Sequence, residues 1–165
     1  MKKISLIVTI AVFLFVCSMG MLAQTSQTQL NQLELMKSSI GTWQATVSKD
    51  TVEVWDYQQY GKTCIIYVYQ IIKGLKNPLY INSMGFDSKG DKFKGYVLYS
   101  SGDYLTWIGF FKAENNFLVD IVDNFIPEKV WAKYAMIHLS AKEMNWTQLN
   151  AEGVKISELK FVKIK

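Results

Sequence analysis

"SSIGTWQATVSKDTVEVWDY", residues 38–57, decides how this chain is read. A Gly-x-Trp opens a run that alternates, and it does so directly after a stretch with helical spacing. If Lys49-Asp50 is a two-residue turn, Ser48 faces Thr51, Val47 faces Val52, Ala45 faces Val54 and Trp43 faces Asp56. Period-2 alternation then gathers Trp43, Ala45, Val47, Val52 and Val54 on one apolar face, with Gln44, Thr46, Ser48 and Glu53 on the other. Trp43 is therefore expected to point inward. Lys-Asp is not a favoured two-residue hairpin turn, and a slip of one residue there reverses the faces. Continuing through a turn at Tyr60-Gly61 places Ile65, Tyr67, Tyr69 and Ile71 inside. Cys64, Ile66, Val68 and Gln70 fall outside.

Upstream, "TQLNQLELMKSSI" spaces Leu30, Leu33, Met36 and Ile40 as an amphipathic helix over about 28–39, with Thr28 as its N-cap and Gly41 just past its end. Downstream, short apolar or alternating runs give ten strands: 42–48, 51–58, 63–73, 78–86, 92–100, 103–112, 116–123, 130–139, 142–149 and 154–164. Turn signals such as "QQYGK", "GLKNP", "DSKGDK", "SSGD", "AENN", "NFIPEK" and "NAEG" separate them. These connections are too short for parallel crossovers, so neighbours pair antiparallel. Ten such strands either stack as two sheets or close on themselves, and the fold expected is all-β, a ten-stranded antiparallel up-and-down β-barrel with a short N-terminal helix. The expected domains are a signal peptide over 1–23, a tail and helix over 24–40, and one barrel over 41–165. Several strands ("TCIIYVYQII", "YLTWIGFF", "FLVDIV") are apolar on both faces, and Trp55 and Tyr57 turn outward in this register. Both features suggest a covered exterior or a homodimer.

Half of the 165 residues are hydrophobic and 14% aromatic, which excludes disorder. Every basic residue is lysine. Without Lys2 and Lys3, 16 lysines face 14 acidic residues, a net charge of only +2. No nucleic-acid footprint is expected from that balance. The start, "MKKISLIVTIAVFLFVCSMGMLAQ", has the layout of a secretory signal, with cleavage expected after Ala23 and a second site at Ser18-x-Gly20. Its apolar run, Ile4 to Val16, is short of the ~20 residues of a membrane helix, so no stable span is expected after cleavage. The expected location is periplasmic or extracellular. The alternative is a lipid anchor at Cys17, against which stands Val16 in place of a small residue. Cleavage leaves one cysteine, Cys64, so no internal disulfide is expected.

A helix followed by "IGTW" at the start of an antiparallel meander resembles the calycin superfamily, which holds the lipocalins and fatty-acid-binding proteins. "GFDSKGDKFKGYVLYSSGDYLTW" is similar to bacterial lipocalin-like domains, as is the ending "MNWTQLNAEGVKISELKFVKIK". The resemblance covers about 41–165. It implies that Gly41 lets the chain turn into the first strand and that Trp43 plugs the closed end of the barrel. In classical lipocalins a late-strand arginine packs across this tryptophan. This chain has no arginine, so Lys160 or Lys163 is the candidate substitute and the relationship is divergent.

The role expected is binding of a small, largely apolar molecule, with Tyr67, Tyr69, Tyr96, Trp107 and Phe111 as candidate cavity residues. Each of them is also a plausible packing residue. The sole histidine, His138, shares a face with Tyr134 and Met136. Haem-binding barrels of the nitrobindin type carry their histidine on the closing strand, and 154–165 has none, so a hydrogen-bonded strand histidine is expected and no cofactor is implied. One histidine and one cysteine make no typical zinc site. Asp87 and Asp91 lack the alternation of a calcium loop and read as a solvated turn. "NWT" at Asn145 matches a glycosylation acceptor that bacterial export would leave idle. No catalytic residue is expected: nothing local activates Cys64, or a serine near His138, and while Asp56, Asp120 and Glu158 could pair across strands, their spacing does not establish that they meet. The rival readings are a packed envelope interaction module and an enzyme.

Overall fold

The structure, a computed structural model, describes residues 30–165. The expected signal peptide, Cys17 and the proposed cap Thr28 lie outside the described residues. One helix, α1 (Gln32–Lys37), precedes ten strands: β1 (Gly41–Ser48), β2 (Thr51–Tyr60), β3 (Thr63–Ile72), β4 (Leu75–Asp87), β5 (Lys92–Tyr99), β6 (Tyr104–Ala113), β7 (Asn116–Asp123), β8 (Ile126–Ser140), β9 (Glu143–Asn150) and β10 (Lys155–Lys163). Each strand pairs antiparallel with its neighbours in sequence, and β10 returns to β1, closing the barrel. Closure leaves no full free edge.

The helix is shorter than its periodicity suggests. Asn31 caps it, accepting the Glu34 amide at 3.2 Å. Gln32 replaces an apolar residue as its main anchor. Its side-chain amide donates to the Phe111 carbonyl at 3.0 Å and accepts from the Phe111 amide at 2.7 Å, so a buried glutamine pairs with β6 as a strand would. Met36, on the same helix, is buried against the barrel interior.

The register of the first hairpin corrects the expected one. Ser48 does face Thr51, but the next pair is Thr46 with Val52, and Val47 is left over as a bulge. From there Trp43 faces Trp55 and Ala45 faces Glu53. The slip carries Glu53, Trp55 and Tyr57 inside and sends Val52 and Val54 to the outer face. Because the β2–β3 turn preserves parity, β3 inverts too: Tyr57 pairs with Ile66 and Trp55 with Val68. Cys64, Ile66 and Val68 are buried inside, while Tyr67 is outside and 39% exposed.

Two strands begin before the expected positions. Of "GLKNP" only Gly74 belongs to the turn, which is Lys73-Gly74 with both residues at positive φ, and of "NFIPEK" only Asn124-Phe125. Pro78 lies where β4 slips past β3, and Pro127 where β8 bulges away from β7. A bulge tolerates the missing amide of proline.

The base of the barrel is solid. Trp43, Met144 and Phe161 are wholly buried there with Phe93, Phe111 and Phe117. The Trp43 indole donates to the Ser39 carbonyl at 2.8 Å, and Lys163 Nζ lies 5.2 Å from its ring centroid. Of the two lysines considered for packing on Trp43, Lys163 is thus the one beside its ring, whereas Lys160 pairs with Glu143 at 2.9 Å. Gly41 has φ +124°, and a Cβ there would collide with the Lys165 carbonyl. The residue is needed both for its conformation and for the close approach of the C-terminus.

Candidate functional site

Above this base the interior is not filled. A cavity of about 290 Å³ lies on the barrel axis. Part of its lining is apolar: Met36, Met84, Phe117 and Met136, with Ile66, Val68, Val97 and Val119. Much of the rest is aromatic. Trp55, Tyr57, Tyr80, Tyr99, Tyr134 and Trp146 all reach it. Tyr134 stacks on Trp146 at 4.9 Å between centroids, Trp146 meets Trp55 edge-on at 5.8 Å, and Tyr80 meets Tyr99 at 5.4 Å.

Trp107 is held by its neighbours. A Cβ at Gly95 would overlap its indole, and one at Gly109 would lie 3.2 Å from its ring. The two glycines form the slot in which the ring lies flat. Its Nε1 donates to Asn82 Oδ1 at 2.9 Å, and Asn82 also faces the cavity.

Among the described residues Glu53 supplies the only carboxylate on the lining, and no lysine or histidine reaches it. It accepts from Trp55 Nε1 at 2.7 Å and from Gln70 Nε2 at 3.2 Å. Among the described residues it forms no ion pair. Burial pushes the Tyr57 and Tyr80 hydroxyls well above the usual phenol range, and the nearby Glu53 charge adds to the effect at Tyr80. Both phenols therefore stay neutral and able to donate.

The sequence-predicted cavity residues divide. Trp107 lines the cavity. Phe111 is buried in the base against Phe117, 4.8 Å between centroids, below the open space. Tyr67 and Tyr69 sit on the outer wall because of the inverted parity, and Tyr96 sits there because Phe93, Gly95 and Val97 take the inward positions of β5. Tyr69 lies under Lys76 Nζ at 3.8 Å, and Tyr96 stacks on Tyr104 at 5.3 Å. Glu53, Trp55, Tyr57, Tyr80, Asn82, Tyr99 and Trp146 were missed. The β8 alternation did place Tyr134 and Met136 together, and both face the cavity.

The reactive groups lie elsewhere. Ser39 Oγ and His138 Nε2 are 3.3 Å apart, but Ser39 is 1% exposed at the sealed base and neither residue lines the cavity. His138 also meets the edge of Trp43 at 5.5 Å. Burial, and then the Lys163 charge, lower its pKa. Burial pushes the Cys64 thiol up to about 12, which leaves it protonated at neutral pH. Asp87 accepts the Lys89 and Gly90 amides and pairs with Lys94 at 2.8 Å, as a structural turn does. Asp56 binds Thr42 at 2.9 Å, and Glu158 is engaged by Lys155 and Thr147. Among the described residues no cluster of histidine, cysteine and carboxylate is arranged to hold a metal, and no helix is long and apolar enough to cross a membrane.

No family model matches the chain, and no curated protein matches it.

Proposed function

We propose that this protein is an exported, divergent lipocalin-like carrier of the calycin kind, which binds one small, largely apolar molecule inside its barrel and catalyses no reaction on it. The observation that carries this reading is the aromatic cavity held open above a fully packed base. A barrel that needed only to be stable would fill this space, since each void forfeits dispersion contacts. The volume, about 290 Å³, stands at the lower end of the roughly 300–1,000 Å³ usual for small-molecule sites. A compact ligand fits it, and a fully enclosed long-chain lipid does not. Export rests on the pattern of residues 1–23 and is checked by N-terminal sequencing of the protein from its host, with Gln24 as the expected first residue.

The binding reading is tested by titrating an apolar reporter dye while following both dye and tryptophan emission. Trp55, Trp107 and Trp146 all line the cavity and report its filling. Val119→Phe fills the middle of the cavity and is expected to abolish saturable binding with the circular dichroism spectrum unchanged. Dye binding that survives in a folded Val119→Phe protein places the dye on the exterior and overturns the proposal.

One observation favours the interaction reading instead. Tyr67, Ile81, Leu98 and Tyr104 are 39–55% exposed and stand opposite one another across β3, β4, β5 and β6. They form a continuous apolar ribbon on the outer wall, in place of the Trp55 and Tyr57 contact expected from sequence. A dimer that dissociates on Leu98→Lys substitution, with no cavity ligand, is the outcome that reading requires.

A further inference from the structure

We propose that the ligand carries a positive charge: the cavity is built for an amine or quaternary ammonium head on a small apolar body. This rests on the carrier reading above and narrows its ligand class.

Three observations converge. First, Glu53 presents its carboxylate to the cavity with no cation beside it among the described residues. Its two hydrogen bonds come from neutral donors, Trp55 and Gln70. They orient the group and support its charge without neutralising it. A carboxylate drawn into an apolar cavity is costly unless something compensates it, and a cationic ligand supplies that compensation.

Second, the rings that share the cavity with Glu53 suit a cation. Trp55, Tyr80, Tyr134 and Trp146 offer aromatic surface to the same space, and aromatic faces carry the negative lobe of the ring quadrupole. A desolvated ammonium inside such a cage is attracted from several sides at once.

Third, the opposite charge has no receptor. The chain contains no arginine, and among the described residues no lysine or histidine lines the cavity. A fatty acid or other carboxylate would meet Glu53 at the mouth with nothing to pair it. The apolar body of the ligand belongs against Met84, Phe117 and Met136, away from the charged end.

The test compares three probes of one shape by calorimetry on the purified protein: phenylpropyl-trimethylammonium, its all-carbon isostere with a tert-butyl head, and phenylbutyrate. The cation is expected to bind about tenfold or more tighter than the isostere, and phenylbutyrate weaker than both. Glu53→Gln keeps the hydrogen-bonding shape. It is expected to bring the cation to within about threefold of the isostere while leaving the isostere's own affinity in place. Raising the salt concentration on the unmutated protein, a readout that needs no variant, should weaken the cation and spare the isostere. Equal binding of cation and isostere, or a preference that survives in Glu53→Gln, overturns the charge assignment and leaves the carrier reading standing. If none of the three probes binds, both fall.

Discussion

Gly95 faces Trp107 across the β5–β6 ladder, and any side chain at 95 would occupy the space of the indole. The indole is rigid and hydrogen-bonded to Asn82, so it has no easy retreat. Gly95→Ala is therefore expected to destabilise by about 1–3 kcal/mol, the usual cost of overpacking, and to shift Trp107 in the cavity wall. Gly85 is the control: a Cβ there meets nothing within 4 Å and its φ is not in the left-handed region, so Gly85→Ala should sit near zero in the same denaturant titration. His138 makes a second residue-scale prediction. Burial and Lys163 hold its pKa below the ordinary value, so the unfolded chain takes up the proton more readily than the folded one. Its contribution is then complete above the ordinary histidine pKa of about 6.5 and is lost as pH falls through it. The melting temperature should drop between about pH 7.5 and pH 5.5, and His138→Gln should flatten that segment. The lowered carboxyl groups of Asp87 and Glu158 act only at more acidic pH. A histidine variant with the same pH profile as the parent would show that the proton binds elsewhere.

The β1–β2 hairpin shows what one residue does to a whole element. Val47 is the odd residue between Thr46–Val52 and Ser48–Thr51, and it restores the inward face for Trp43 after a turn that would otherwise invert it. Deleting Val47 should leave a regular hairpin with Trp43 still inside, at a cost of no more than about 1 kcal/mol. Deleting Thr46 and Val47 together overshoots by one, turning Trp43 outward, and should unfold the barrel. Blue-shifted tryptophan emission and the denaturation midpoint distinguish the two, and similar behaviour of both deletions would refute this account of the bulge. The same hairpin marks where the sequence stopped being legible. All ten strands were readable because Gly, Asn and Asp punctuate them, and the positions of Gly41 and Trp43 followed from the junction they occupy. The faces were not, because a bulge at valine carries no signal: valine is an ordinary strand residue. The parity error then passed unchanged through the next turn, moving Tyr67 and Tyr69 out and Ile66 and Val68 in. Glu53 was hidden for a different reason. Polar residues are assigned to the solvent side of an alternating strand, and a carboxylate that faces an interior cavity breaks that rule. Trp107 on β6 was named as a cavity residue and is one, and the alternation of β8 grouped Tyr134 with Met136 on the face that lines the cavity.

At the scale of the molecule, the cylinder is closed by its shortest ladder. Trp43 pairs with Lys163 and Gln44 with Val162, and beyond the strands Thr42 donates to the Lys165 carbonyl at 2.9 Å while Ile164 donates to the Thr42 carbonyl at 2.8 Å. The mouthward half of β1 faces β10 without continuing this pairing. The last four residues, 162–165, therefore hold the seam, cover Trp43 through Lys163, and satisfy the chain where Gly41 turns out of the helix junction. Removing them should open the barrel from the base. The backbone hydrogen bonds alone, at about 1 kcal/mol each, amount to a loss on the order of 2–4 kcal/mol, and the exposed edges of β1 and β9 or β10 should promote self-association. Removing Lys165 alone takes away one of these bonds and should cost about 1 kcal/mol at most. Size-exclusion chromatography and denaturant titration of the two truncations measure the difference, while red-shifted tryptophan emission reports Trp43 meeting water. The cavity should fail together with the seam, because its walls keep their spacing only while the ring of strands is complete. A chain ending at Phe161 that stays monomeric, melts where the parent does and still binds the reporter dye would mean that the ladder between β1 and β10 is not what keeps the space open.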